Sequence, residues 1–347
     1  MSSPMKSILR RATRGESDKL NILTFVTHER YESIVCKTGH NFYSIRLIEK
    51  PQWKDAGCKI PSNYHILPIY DHKFILPPTV DFDVILCQSQ HQLSIARELS
   101  HVLHIPLINL THTTCPIQNY DFTPIVCDVN VFISEEQRAS YGCPDDFGII
   151  NNIGMDIETF CVNENVQREN WALSIVNDWI NRDYFCGFNL WKEITGFPSP
   201  SPIIPHRVFG NTPGLSEEAP SIEVLVKSYQ SAGLFLNTAT LSTMPMVVLE
   251  AMSCGCPVVS TDTGIIARKV IKHGVNGLIG KDANELRQHC LRLLEDKELA
   301  RRLGIEGRKT IEKDFSHIDF VKRWDEIFRK AASIYTGKNI HKGEVKQ

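Results

Sequence analysis

Apolar residues along the chain gather into short continuous runs, each followed by a stretch with helical spacing. Residues 21–26 (NILTFV) form the first run, and residues 41–47 and 65–69 follow with proline-containing stretches between them. Residues 82–87 (FDVILC) make the clearest one, continuous enough for a strand covered on both faces. Ser89-Gln90-His91-Gln92 then has the spacing of a capping box, and Leu93, Ala96, Leu99 and Leu103 give the following helix an apolar face. Residues 105–110 are the next strand. A second unit repeats the grammar, with residues 129–133 as strand and Ser134-Glu135-Glu136-Gln137 as capping box. Strand, capped helix, strand predicts parallel βαβ units in a doubly wound domain.

A polar stretch at 162–170 reads as a linker, and the pattern then restarts. Residues 172–176 and 207–210 are predicted strands, with a turn at Asn211-Thr212-Pro213-Gly214 and a helix around 222–230. The most informative stretch comes next. Residues 232–236 (AGLFL) suit a buried strand, and Pro245 falls in the first turn of a helix, where its missing N–H costs nothing. Gly255 ends that helix, Pro257 prevents its resumption, and residues 258–261 (VVST) are the next strand. Such a unit places a helix N-terminus at the carboxyl edge of a parallel sheet, where anionic ligands collect. Glu250 is the one carboxylate in this apolar helix. Leu286, Cys290, Leu293 and Leu294 form a later stripe, and Phe320, Trp324 and Phe328 mark a terminal helix.

Composition narrows the class. A chain of 347 residues suggests two domains, expected at 21–165 and 166–335, between a disordered basic tail at 1–20 and a polar tail at 336–347. A net charge of −2 gives no reason to expect a nucleic-acid partner. Eleven cysteines without a C-x-x-C pair point to a reducing, cytoplasmic setting, and Cys254 and Cys256 are expected as small buried residues. No apolar run approaches the roughly 20 residues that span a bilayer. Lys6, Arg10, Arg11 and Arg14 are read as a solvated tail, with peripheral contact to an anionic membrane as the alternative. No dense carboxylate cluster or D-x-D motif is read as calling for a metal, and no cofactor is expected.

The segment from Pro245 onward resembles the nucleotide-sugar-binding core of retaining GT-B glycosyltransferases of family 4, roughly E-G-F-P-x-x-x-x-E-A-M-A-x-G-x-P-V-V-x-x-x-x-G-G. Pro245, Glu250, Ala251, Met252, Gly255, Pro257, Val258, Val259 and Gly264 match it, while Ser242 stands where the first glutamate would fall. Residues 146–156, with Gly154, Asp156 and Phe160, are similar to the family's interdomain V-I-P-N-G-V-D segment. The resemblance covers residues 220–330 and 80–160, with little before 80 and across 175–215. It implies an α/β GT-B fold, two Rossmann-like domains facing a central cleft. It implies transfer of a hexose from a UDP- or GDP-sugar to a glycan, lipid or small-molecule acceptor, with retention of configuration and without a metal.

Sugar transfer needs a grip on the ribose, neutralisation of the departing diphosphate and orientation of the sugar. Glu250 can accept from both ribose hydroxyls, and the family gives this residue that role. The N–H groups of Met246 and Val247, in the first turn of the helix, are the physical candidates for the diphosphate. The family's phosphate-binding arginine and lysine fall at Asn181 and Cys186; Arg182 is the nearest cation, with a surface ion pair as its alternative, and Gly187 matches the adjoining glycine. Ser242 can bond a sugar hydroxyl or cap the helix. Gly264 is a candidate contact, with Ile265 in place of the family's second glycine. His112 follows a predicted strand where the family often places a histidine against the sugar; it is the catalytic candidate, orienting the sugar or stabilising developing charge, with a structural loop histidine as the alternative. His28, Glu29 and Arg30 stand where the family has a glycine-rich loop. With so many substitutions, a catalytically degenerate relative that binds nucleotide, glycan or partner is the alternative. A dinucleotide oxidoreductase would need a G-x-G-x-x-G after a strand, and the sequence has none.

Overall fold

The computed structural model describes residues 13–15, 17–47, 53, 58–71, 73–115, 117, 119–241, 245–264 and 269–334. The chain divides into two compact units, residues 1–152 with 318–347 and residues 153–317. The basic positions Lys6, Arg10 and Arg11, the site candidate Ser242, Ile265 and the polar tail lie outside the described residues.

The described residues of the first unit build a sheet of seven parallel strands. They are β1 (Asn21–Phe25), β2 (Asn41–Ile45), β3 (Tyr64–Ile66), β6 (Val84–Cys87), β7 (Leu107–Thr111), β8 (Val129–Phe132) and β9 (Ile149–Ile150), in the order β3-β2-β1-β6-β7-β8-β9. A small antiparallel pair, β4 (Ile69–Tyr70) and β5 (Lys73–Phe74), stands apart from that sheet. All five residues of β1 are buried, as the predicted run required. Helices α1 (Glu29–Val35), α2 (Gln90–Leu103) and α3 (Glu135–Ser140) follow β1, β6 and β8. Strand order therefore reverses between β1 and β6, and the loops leaving those two strands border the crevice where doubly wound sheets bind ligands.

The two predicted capping boxes form differently from expectation. Ser134 Oγ accepts from the Gln137 N–H at 3.1 Å, but the Ser89 hydroxyl makes no cap bond. In both helices the glutamine reaches back one residue past the cap: Gln92 Oε1 takes the Gln88 N–H at 3.1 Å and Gln137 Oε1 the Ile133 N–H at 2.8 Å.

The second unit carries β10 (Ala172–Ile175), β11 (His206–Phe209), β12 (Leu234–Asn237), β13 (Val258–Thr261) and β14 (Leu278–Gly280), all parallel, in the order β11-β10-β12-β13-β14. Among the described residues its helices are α4 (Asp183–Cys186), α5 (Phe188–Thr195), α6 (Ile222–Ser231), α7 (Met246–Ser253), α8 (Ala283–Glu295) and α9 (Lys297–Asp314). Trp179, Trp191, Leu234, Leu236, Val259, Leu286, Leu293 and Leu303 pack in one core there. Each such side chain stabilises the fold by about 1.5–3 kcal/mol relative to exposure.

The division of the chain differs from the expected 165/166 boundary at both ends. The stretch read as a linker is held firmly by the second unit. Arg168 donates to the carbonyls of Tyr229, Ala232 and Cys254, each at 2.9 Å, and so ties the ends of α6 and α7 together. Arg308 on α9 donates to the Phe160 and Ser253 carbonyls at 2.8 and 2.7 Å. The terminal helix α10 (His317–Ser333), expected in the second domain, packs on the first unit instead. Its Trp324, Phe320 and Phe328 are fully buried; Phe320 meets Tyr31 edge-on at 5.4 Å and Phe328 meets Phe42 at 5.9 Å. The apolar stripe showed that this helix would be covered, but not by which sheet.

Candidate functional site

In the second unit the strand order reverses between β10 and β12, and the loops leaving those strands are stitched to each other. Thr238 Oγ1 donates to the Cys186 carbonyl at 2.9 Å, and the Thr240 N–H donates to the Phe185 carbonyl at 3.0 Å. Gly187 sits at the join with φ +68°, and a Cβ placed there would stand 2.2 Å from the Thr238 carbonyl oxygen. Only glycine fits. The loop after β13 is tied in by Thr261 Oγ1, which donates to the Ala239 carbonyl at 2.8 Å. Arg182, Gly187, the start of α7 and Gly264 are thereby gathered on one edge of this sheet.

Among the described residues, each predicted one has a definite place. Arg182 is exposed, with its guanidinium 5.3 Å from the centre of the Phe185 ring. Met246 and Val247 are half-buried first-turn residues of α7. Pro245 is the cap of that helix (φ −67°, ψ 113°) rather than its first helical residue. Gly255 ends the helix at φ +66°, as predicted. Gly264 is buried in a bend. Cys186, at the family's lysine position, is buried, and its carbonyl accepts from Trp179 Nε1 as well as from Thr238. Cys254 and Cys256 are buried free thiols, and burial pushes Cys256 up to about 11.

Glu250 is 0% exposed. Its Oε2 accepts from the Tyr229 hydroxyl at 2.8 Å, a bond that joins α6 to α7 inside the unit. Tyr229 is a residue the sequence reading missed. It lies on the buried face of α6, and a tyrosine among core positions is the signal that a hydroxyl partner must be near.

In the first unit His112 follows β7 and keeps a partly exposed edge. Its ring meets His28 at 4.7 Å and Tyr31 at 4.8 Å, both edge-on, and Tyr31 is held by Trp324 Nε1 at 3.2 Å. Enclosure by these neighbours, with the nearby His28 adding to it, holds the His112 imidazole well below its usual pKa. His112 Nε2 lies 3.2 Å from Gln88 Oε1.

The loop after β1 reveals another residue absent from the predicted set. Glu32, 3% exposed on α1, accepts from the Thr27 N–H at 2.7 Å and the His28 N–H at 3.0 Å. It also accepts from Gln88 Nε2 at 3.1 Å and from the Tyr64 hydroxyl. Where a glycine-rich loop would leave its N–H groups open to an anion, this loop turns two of them onto its own carboxylate. Burial pushes Glu32 up to about 6, against the pull of its donors. Its partial signal was a carboxylate inside the apolar helix YESIV.

Among the described residues there is no group of three or more His, Cys, Asp or Glu side chains arranged to hold a metal ion. Asp81-Phe82-Asp83 has D-x-D spacing, but Asp83 is 1% exposed before β6 and accepts from the Asn21 N–H and Arg14. Among the described residues no helix is long and apolar enough to cross a membrane.

Comparison with known proteins bears on both units. The family model for glycosyl transferases group 1 matches residues 220–310. The N-acetyl-alpha-D-glucosaminyl L-malate synthase of Bacillus anthracis is 33% identical over 85 residues, 24% of this chain and 22% of that protein. The chain matches curated relatives over less than a third of their length. Among solved structures, sucrose-phosphate synthase from Thermosynechococcus elongatus superposes with TM-score 0.66 at 14% identity, covering 90% of this chain and 99% of that one. Anabaena HepE, in complex with UDP and glucose, superposes with TM-score 0.66 at 13% identity, covering 90% and 100%. The chain thus has the α/β fold of GT-B glycosyltransferases, and its residues 220–310 match the group 1 glycosyl transferase domain.

Proposed function

We propose that this protein is a retaining glycosyltransferase, moving a hexose from a UDP- or GDP-sugar to a glycan, lipid or small-molecule acceptor. The observation that carries this reading is the edge of the second sheet. Where strand order reverses, two loops are stitched around Gly187, and the adjoining helix α7 begins inside the matched group 1 segment. Such an edge suits a nucleotide, because a helix start offers unpaired N–H groups and a favourable dipole to phosphate. HepE, of the same fold, was solved with UDP and glucose bound.

In the proposed reaction the N–H groups of Met246 and Val247, with Arg182, take the charge of the diphosphate. Gly187 and Gly264 let backbone approach the donor, and Ser242 bonds a sugar hydroxyl. Glu250 takes the ribose hydroxyls, exchanging its bond from Tyr229 for bonds from the ribose. His112 orients the transferred sugar. The bond between the anomeric carbon and the diphosphate oxygen breaks, and the acceptor oxygen bonds that carbon on the same face. The acceptor proton passes to the departing phosphate oxygen, so no side-chain base is needed.

The test is transfer and donor hydrolysis by the purified protein across UDP- and GDP-sugars, with Glu250→Ala and Arg182→Ala alongside. Turnover of one donor, lost in Glu250→Ala, is expected. Nucleotide binding without turnover of any donor would replace this reading with that of a binding protein.

A further inference from the structure

Glu32 and Gln88 stand outside the donor chemistry, yet both are buried and bonded to each other. The logic of their hydrogen bonds fixes protons. Glu32 Oε1 receives three donors, the N–H groups of Thr27 and His28 and the amide of Gln88. An oxygen in that position acts only as an acceptor, so Gln88 must turn its NH2 toward Glu32 and its carbonyl oxygen toward His112. That oxygen lies 3.2 Å from His112 Nε2 and cannot donate. The proton therefore sits on Nε2.

The surroundings keep Gln88 from turning over. Its backbone N–H is taken by Gln92 Oε1 at 3.1 Å, and Gln92 Nε2 donates to Thr27 Oγ1 at 2.8 Å. Gln88 is 3% exposed and Gln92 is fully buried. His28 and Tyr31, edge-on, limit rotation of the imidazole. Burial holding His112 in its neutral form is consistent with a single N–H on the ring.

We propose that Glu32 is a positioning residue that, through Gln88, fixes His112 as the Nε2–H tautomer and leaves Nδ1 as the ring's acceptor. What Nδ1 serves rests on the transferase reading, in which it receives a hydroxyl of the transferred sugar. The tautomer itself does not depend on that reading.

Ring-nitrogen NMR of the full chain, labelled with 15N-histidine, tests the lock without any substrate. Wild-type protein is expected to show His112 as one tautomer, protonated at Nε2. Gln88→Met cuts the link while Glu32 keeps its bonds from Thr27, His28 and Tyr64, and a mixture of tautomers is expected. Glu32→Leu should give the same mixture. If that variant fails to fold, Gln88→Met alone decides. Glu32→Gln retains an acceptor oxygen and should restore the single tautomer. A wild-type ring protonated at Nδ1, or an unchanged single tautomer in Gln88→Met, would overturn the proposal. A parallel assay with UDP-glucose and GDP-glucose separates the two ideas. With turnover, Gln88→Met should lower kcat on the order of tenfold with little change in KM, the signature of a misplaced group. A locked ring in a protein inert to both donors supports the lock and counts against the transferase reading.

Discussion

Each unit shapes the crevice at its own sheet reversal, and the two do so by opposite means. In the second unit, backbone sets the closest approach: Gly187 at φ +68° lets the β10 loop press against the Thr238 carbonyl, and the Thr238 and Thr261 hydroxyls then bond carbonyls of the neighbouring loops. In the first unit, side chains do the shaping. Glu32, Gln92 and Gln137 each sit in the first turns of a helix and bond back to N–H groups before it, and the two glutamines also hold a neighbouring loop. A backbone solution leaves glycines and prolines at fixed spacing, so it can be recognised from sequence. A side-chain solution leaves only ordinary polar residues. The matched family segment, 220–310, lies wholly in the unit that uses backbone.

The largest effect expected from this contrast is at Gly187. Alanine there puts a Cβ 2.2 Å from the Thr238 oxygen at a φ that side chains resist, so the loops must part. Gly187→Ala should lose about 3 kcal/mol or more, from left-handed strain plus the displaced contact. Denaturant unfolding measures it, and a loss under about 1 kcal/mol would mean the loops move apart freely.

Acid should separate the units next. His40, 1% exposed, is held down to about 4, chiefly by burial, although Asp325 at 3.0 Å pulls the other way. A histidine whose folded pKa lies below its unfolded 6.5 binds protons more weakly when folded. Its stability contribution is full above 6.5 and is lost as pH falls toward 4, about 3 kcal/mol in all. Glu32 acts with the opposite sign. Raised to about 6 from 4.5, it is protonated first in the folded state, so falling pH between 6 and 4.5 returns about 2 kcal/mol. Single variants expose both: Glu32→Gln should steepen the acid loss in thermal unfolding, and His40→Gln should flatten it. Both groups lie in the first unit, so hydrogen exchange at pH 5 should report the variants there and leave the β10–β14 sheet unchanged.

The same contrast explains what could be read in advance. The strands and the turn at Gly255 follow from apolar runs and from the placement of glycine and proline, whereas Gly187 is marked in the sequence only by its match to the family motif. The boundary at 152/153 was hidden because Arg168 and Arg308, ordinary polar residues in sequence, bind carbonyls far along the chain. The terminal helix showed its apolar stripe but not its sheet, because Trp324 would suit either core. Glu32 carries no glycine or hydroxyl signature, and its role appears only once Thr27, His28, Tyr64 and Gln88 converge on it.

A smaller effect separates structure from ligand at Glu250. Tyr229→Phe removes the hydroxyl that donates to this buried carboxylate and should cost about 2 kcal/mol in unfolding experiments. If Glu250 exchanges that bond for ribose hydroxyls, the variant should bind UDP or GDP at least as tightly as wild type, because the Tyr229 bond need not first be broken. Weaker binding in calorimetry would make Tyr229 a support for the site instead.

The smallest change in the fold is expected at Arg182, and there the comparison meets function most directly. The side chain is exposed, with the Phe185 ring at 5.3 Å and a long bond to the Asn177 carbonyl at 3.4 Å, so Arg182→Ala should shift stability by no more than about 0.5 kcal/mol. The family's lysine position holds Cys186, whose backbone is tied to Trp179 and Thr238 and whose side chain is buried, so Arg182 is the cation of this loop available to a diphosphate. Losing it should weaken UDP or GDP binding about tenfold, near 1.4 kcal/mol, with a dependence on salt that the wild type shows and the variant loses. Lysine at 182 should restore part of the affinity, since a point charge serves a phosphate without the paired geometry of a guanidinium. Unchanged affinity in Arg182→Ala would leave the phosphate to the N–H groups of Met246 and Val247 alone. The backbone character of this unit's crevice would then extend from its shape to its chemistry.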